Sequence, residues 1–131
     1  AQVGHTALLC AIDCTGHGVP GAFMSVLGYN QLNDIVLEEK ILEPARILSE
    51  LDRRVRSALK QDAGNLAGTL DGMDLACCAF DLASRRLRFA GANRPLYLVR
   101  AGSAEVLEVK GSKHAIGGRA YEEKLFAEHA L

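Results

Sequence analysis

Asp13-Cys14-Thr15-Gly16-His17-Gly18-Val19-Pro20-Gly21-Ala22-Phe23-Met24-Ser25 joins an apolar run to a helical pattern, and its reading decides the fold. The run before it, Ala7 to Ile12, has the character of a buried strand that ends at a carboxylate. Three glycines and a proline then turn the chain before the helix begins. The glycines let the backbone come close to a ligand, and a helix start offers free N–H groups to an anion. A carboxylate at a strand mouth, followed by a loop of little bulk, suits a metal ion held beside a phosphate. The segment is neither of the common nucleotide loops. It has no Gly-Lys-Ser/Thr and no glycine pair at dinucleotide spacing.

Composition narrows the partners. The chain has 131 residues, enough for one domain or part of one, with 49% hydrophobic and 24% charged side chains. Fifteen basic residues against sixteen acidic ones leave a formal charge of −1, which gives no electrostatic footprint for nucleic acid or an anionic membrane. No apolar stretch is long enough to span a bilayer, and no secretion leader is visible. The cysteines, Cys10, Cys14, Cys77 and Cys78, do not form a disulfide framework, and buried thiols in a reducing cytoplasm are the simpler expectation.

The pattern outside the loop predicts a strand over 6–12, a helix over about 22–38 and a second helix from Pro44 to about Lys60. In the first helix Ala22, Val26, Tyr29 and Asn33 share one side. In the second, Ile47, Leu48, Leu51, Val55, Ala58 and Leu59 form the apolar stripe, with Arg53, Arg54, Arg56 and Lys60 on a solvated face. A polar connection over 61–70 leads to a strand over 75–80, a hairpin turn over 81–86, and short strands over 87–90, 95–99 and 106–109. The remainder, from Lys113 on, is looser. One strand, two helices and a run of hairpin-linked strands point to an α+β fold with an antiparallel sheet.

Asp13 is the strongest candidate for chemistry, as a ligand for hard Mg²⁺ or Mn²⁺, with a capping or turn aspartate as the plainer alternative. His17 is a proton-transfer or ligand candidate, although its two glycine neighbours favour a role in shaping the loop. Asp71 and Asp74 flank a strand entrance and read equally as outer-shell carboxylates or turn residues. Arg94, after Asn93 in a tight turn, has the fork that grips a phosphate. Cys10, Cys14 and His17 have a spacing that invites a zinc module. Ser25 lacks the Gly-x-Ser-x-Gly setting of a serine nucleophile.

Four blocks together resemble a known family. Asp13 to Ser25, Asp71-Gly72-Met73-Asp74-Leu75-Ala76, Ala90-Gly91-Ala92-Asn93-Arg94-Pro95-Leu96-Tyr97 and His114-Ala115-Ile116-Gly117-Gly118 are similar, in order, to the SpoIIE-like branch of bacterial metal-dependent serine/threonine phosphatases, relatives of type 2C. The resemblance implies an αββα sandwich of antiparallel sheets with two Mn²⁺ or Mg²⁺ ions between them. It implies hydrolysis of phosphoserine or phosphothreonine by metal-activated water, without a phosphoenzyme. Asp13 would bridge the metals and act as the catalytic carboxylate, Cys14 would bind through its backbone carbonyl, and Gly16, His17 and Gly18 would form the active-site loop. The helices that follow would be a place for regulation.

Departures from the family pattern shape the remaining expectations. An upstream metal-binding aspartate, a downstream Asp-Gly ligand and a terminal aspartate are not among these residues, so residues 1–131 read as one fragment of a catalytic domain. Asp74, a candidate for the outer shell, stands where relatives often carry an uncharged residue. The expected role is the cytoplasmic output module of a signalling protein. A sensor or receiver domain would control it, and a phosphorylated protein such as an anti-sigma-factor antagonist would be its substrate. A phosphatase-shaped interaction domain without catalysis is the alternative.

Overall fold

The computed structural model describes residues 1–61, 70–118 and 123–131. In chain order the elements are β1 (Gln2–Val3), β2 (Thr6–Cys14), α1 (Gly18–Asn33), α2 (Pro44–Ala58), β3 (Gly72–Asp81), β4 (Arg86–Ala92), β5 (Leu96–Val99), β6 (Val106–Val109), β7 (Ile116–Gly117) and β8 (His129–Ala130). A π-helical turn, Asp34–Glu38, prolongs α1. The predicted connection over 61–70 lies outside the described residues except for its ends, Gln61 and Leu70.

Strands β1, β2, β3, β4 and β8 lie side by side in that order, all antiparallel. β7 joins β3 at Gly72 and Met73, where β4 no longer accompanies it. β5 and β6 form a separate hairpin. The α+β class with antiparallel sheets, read from the sequence, is what the structure shows.

Alternation along β3 sets the layers. Met73, Leu75, Cys77 and Ala79 are buried on one face, and Asp74, Ala76, Cys78 and Phe80 lie on the other, more open face. The buried face packs with Leu8 against Met24 and Leu32 of α1, Ile35 and Val36 of the π-turn, and Ile47, Leu48, Leu51 and Val55 of α2. Full burial of such side chains contributes roughly 1.5–3 kcal/mol each, which makes this the main source of stability.

The side of α1 that packs is not the one shared by Ala22, Val26, Tyr29 and Asn33. Gly21, Met24, Gly28 and Leu32 are buried, whereas Phe23 and Tyr29 are 67% and 65% exposed, with Val19 and Val26 beside them. A reading weighted by bulk selects the wrong face because this helix is apolar on both. Close approach accompanies the packing: a Cβ on Gly28 would stand 3.0 Å from Cε of Met73 in β3. The glycine face is the one that can pack.

In α2 the predicted stripe holds through Val55, but Ala58 is exposed and Leu59 only half buried as the helix ends. Lys60 then turns the chain with φ of 53°. Two of the arginines assigned to a solvated face are not solvated. Arg54 is half buried between Glu50 and Glu39, and Arg56 donates from Nε to Asp52 at 2.9 Å. Ion pairing lets these long side chains lie down along the protein instead of extending into water.

Hydrogen bonds from Arg53 and Arg54 pull the Glu50 carboxyl down from its ordinary value to about 2. Its folded-state value is depressed, so the stabilisation is complete above the ordinary carboxylate range and is lost as pH falls toward 2. Glu50→Gln is therefore expected to flatten the fall in stability over that window. With Arg53 largely exposed, the difference should be no more than about 1 kcal/mol. Urea unfolding of both proteins above and within the window measures it, and equal acid sensitivity would contradict the assignment.

Candidate metal and phosphate site

The β2–β3 register sets Asp13 directly opposite Asp74. Both side chains belong to the open face of the sheet, 68% and 33% exposed respectively. Like charges directly across a strand pair repel and destabilise the pairing, so the position calls for a cation. Arg94 supplies it. Its Nη2 donates to Asp13 Oδ2, and its Nε lies 3.7 Å from Asp74 Oδ2. Asn93 Nδ2 donates to Asp74 Oδ1 at 3.0 Å.

The turn after β4 is built to deliver these two residues. Asn93 takes φ of 57°, a left-handed conformation that asparagine tolerates. Its N–H donates to the Ser112 carbonyl at 2.8 Å, and the Ser112 N–H donates to the Gly91 carbonyl at 2.8 Å. Arg94 then reaches across β3 toward β2. A cavity of about 360 Å³, lined by Ala11, Ile12, Asp13, Ala76, Arg94 and Pro95, opens beside the pair.

The loop after Asp13 is tied down at its start. Thr15 donates its N–H to the Gly72 carbonyl at 2.8 Å, and its hydroxyl oxygen accepts from the Gly72 N–H at 3.3 Å. Gly16 and Gly18 have φ of 93° and 63°, values that a side chain would strain. His17 lies between them as the exposed N-cap of α1, and its imidazole makes no capping bond. The Cys14 thiol belongs to the helix side of β2, opposite Asp13, and packs against the core.

Asp13, Asp74, Asn93 and Arg94 thus come together from three places in the chain. Asp71 sits just before β3, where its carbonyl accepts from Gln61 Nε2 at 2.6 Å. The zinc constellation does not form. Cys10 and Cys14 are four residues apart on one extended strand, about 13 Å, which no tetrahedral ion spans. Among the described residues no three His, Cys, Asp or Glu side chains cluster closely enough to hold a metal ion. The oxygens that do converge, the carboxylates of Asp13 and Asp74, are of the kind a hard divalent cation takes.

One charged group of consequence escaped the sequence reading. Asp52 is buried in the middle of α2. It accepts from the Gly117 N–H at 2.8 Å, from Arg56, and from Lys124 Nζ at 3.0 Å. The signal was present: Asp52 follows Leu48 by four and precedes Val55 by three, which puts it inside the apolar stripe.

Known proteins place the chain in a family. The sequence profile described as Stage II sporulation protein E (SpoIIE) matches residues 3–123. Among solved structures, the SiaA-PP2C domain of Pseudomonas aeruginosa is 31% identical, with a TM-score of 0.77, covering 100% of this chain and 48% of that one. The present chain therefore spans about half the length of that relative. A Stage II sporulation E family protein from Thermanaerovibrio acidaminovorans shares the fold at 15% identity and a TM-score of 0.64, covering 100% and 70% of the two chains. A search of curated protein sequences finds no match. On the span of the profile match and the likeness to SiaA-PP2C, the chain belongs to the SpoIIE family of PP2C-type phosphatase domains.

Proposed function

We propose that this chain forms one wall of a metal-dependent phosphatase centre that hydrolyses phosphoserine or phosphothreonine in a phosphorylated regulatory protein. The observation that carries the reading is the Asp13–Asp74 pair, two carboxylates in cross-strand register on the open face, whose charge Arg94 meets here and a bound divalent cation would meet in its place. Mn²⁺ or Mg²⁺, the ions on which PP2C-type enzymes generally depend, would be held by the Asp13 carboxylate and the Cys14 carbonyl, with Asp74 in the outer shell. Two such ions, once bound, supply an activated water and neutralise the phosphoryl oxygens.

The chain's own residues have separable tasks. Asp13 fixes the position of the centre at the end of a strand held on its other edge by β3. Asp74, held by the Asn93 amide, would serve in the outer shell as a hydrogen-bond acceptor. Arg94 neutralises the carboxylates in the ligand-free state. With a divalent cation present its fork is released toward the phosphoryl oxygens, which it matches bidentately. Gly16, His17 and Gly18 keep the loop low enough for a phosphorylated side chain to approach. An anti-sigma-factor antagonist is the class of substrate proposed, in the cytoplasm, under the control of a sensor or receiver domain in the same protein. In the described residues no helix is long and apolar enough to cross a membrane.

The phosphatase-shaped interaction domain is the competing reading. It draws on the fact that only two carboxylates converge among the described residues. Metal removal separates the two. The full gene product carrying this chain should release phosphate from a phosphoserine protein in Mn²⁺, fall to background in EDTA, and recover when Mn²⁺ is restored. Hydrolysis that survives chelation would refute the metal centre. No hydrolysis in Mn²⁺ would establish the interaction domain.

A further inference from the structure

Cys10 and Cys77 are directly opposed in the β2–β3 register, on the face of the sheet away from Asp13 and Asp74. Their sulfurs share an S–H···S hydrogen bond at 3.4 Å. Register partners in antiparallel strands have Cα atoms about 4.5–5.5 Å apart, inside the range of about 4.4–6.8 Å that a disulfide spans. Closing the sulfurs from 3.4 Å to a bond of about 2.05 Å asks for side-chain rotation, with the two strands already in place.

The two thiols are unequal. Cys77 is fully buried. Cys10 is only partly buried and lines a cavity of about 250 Å³ between β2 and α1, with Leu8, Leu9, Tyr29, Leu32 and Val36 among its walls. That volume admits a molecule of the size of water or peroxide, at about 30 Å³ each. The hydrogen bond with Cys77 holds the Cys10 thiol below its ordinary value, while the same bond and then burial push Cys77 up. Cys10 is therefore the attacking sulfur and Cys77 the resolving one.

We propose that Cys10 and Cys77 form an oxidant-responsive dithiol, converted by hydrogen peroxide into a cross-strand disulfide that locks β2 to β3. In the first step the Cys10 thiolate attacks one peroxide oxygen, the O–O bond breaks, and hydroxide leaves to take up a proton as water. Cys10 is then a sulfenic acid. In the second, the Cys77 sulfur attacks the Cys10 sulfur, the S–O bond breaks, and the hydroxyl leaves as a second water with the Cys77 proton. Two thiols lose two electrons and two protons, and one peroxide becomes two waters. The bond would form three residues before Asp13 on the same strand, so the modification sits next to the candidate site without using its residues.

Cys14 and Cys78 are the internal controls. Cys78 lies on the opposite face of β3 from Cys77, and Cys14 faces Met73 across the strands. Neither has a cysteine register partner. The test is hydrogen peroxide treatment of the folded protein, followed by thiol titration in denaturant and peptide mapping. The wild type should fall from four free thiols to two, with a link between the Cys10 and Cys77 peptides and reversal by dithiothreitol. Cys14→Ser and Cys78→Ser should each still lose two thiols. Cys77→Ser should stop at a sulfenic acid on Cys10, trapped by dimedone. A link that uses Cys14 or Cys78, or four thiols that persist until the protein is unfolded, would overturn the proposal.

Discussion

Asp52→Ala is expected to cost about 3–5 kcal/mol of folding stability, the range for removing one partner of a buried ion pair. The Asp52 side chain is 3% exposed and that of Lys124 is 10% exposed. The carboxylate holds three donors at once: Lys124 Nζ, Arg56 Nε and the Gly117 N–H. Alanine would leave the Gly117 N–H without its acceptor and the ammonium of Lys124 with only the carbonyls of Ala115 and Gly117. Asp52→Asn should cost less, because the amide oxygen can still serve Gly117. Pairing Asp52→Leu with Lys124→Met should recover much of the loss, since an apolar pair replaces the ions without burying an uncompensated charge. Urea unfolding measures all three. A cost below about 1 kcal/mol for Asp52→Ala would show that water or another group compensates the ammonium.

That network reaches beyond stability. Gly117 pairs with Gly72 at the start of β3, and Gly72 is the residue that holds Thr15 of the loop after Asp13. A chain of hydrogen bonds therefore runs from the middle of α2 to the candidate site. Loosening its α2 end should loosen the loop, which gives the helices a physical route to the chemistry.

The strands and helices were legible because their signals are local. Pro44 marks the first turn of α2, and 106–109 is a strand in both readings because a glycine turn precedes it. β2 runs to Cys14 and β3 starts at Gly72, both longer than expected, because cross-strand pairing carries a strand through residues of poor propensity such as Asp13 and Asp74. The face of α1 was not legible. Its burial is set by which helix side lacks Cβ atoms at the points of closest approach, and apolar periodicity says nothing of that. The two-residue strands β1, β7 and β8 carry no periodicity to read.

At the site, each of Asp13, Asp74, Asn93 and Arg94 was visible singly, yet their convergence depends on register. A shift of one residue between β2 and β3 would put Asp13 and Asp74 on opposite faces. The Cys10–Cys77 pair has the same origin: the register sets in contact two sulfurs that are 67 positions apart in sequence.

Asp13→Asn in the full gene product is expected to lower Mn²⁺-dependent phosphatase activity by more than about 100-fold, because even residues that only orient metal ligands are worth 10–100-fold. The amide keeps the shape and can still accept from Arg94, but it carries no charge to offset that of a bound cation. Stability should move the other way or not at all. Asp13 is largely exposed and faces a like charge on Asp74, so its neutralisation should shift unfolding by no more than about 0.5 kcal/mol. This combination, a large loss of activity with unchanged stability, distinguishes a metal ligand from a carboxylate that merely pairs with Arg94. If Asp13 served only that ion pair, Arg94→Ala would reproduce its effects. If it holds the centre, Arg94→Ala should leave Mn²⁺ bound and raise KM for the phosphorylated protein, because the fork that meets the phosphoryl oxygens is gone while the ligand remains. Asp13→Asn with wild-type activity would remove the residue from the mechanism. Asp74→Asn should fall between the two, with activity reduced about 10–100-fold as the outer shell loses its charge.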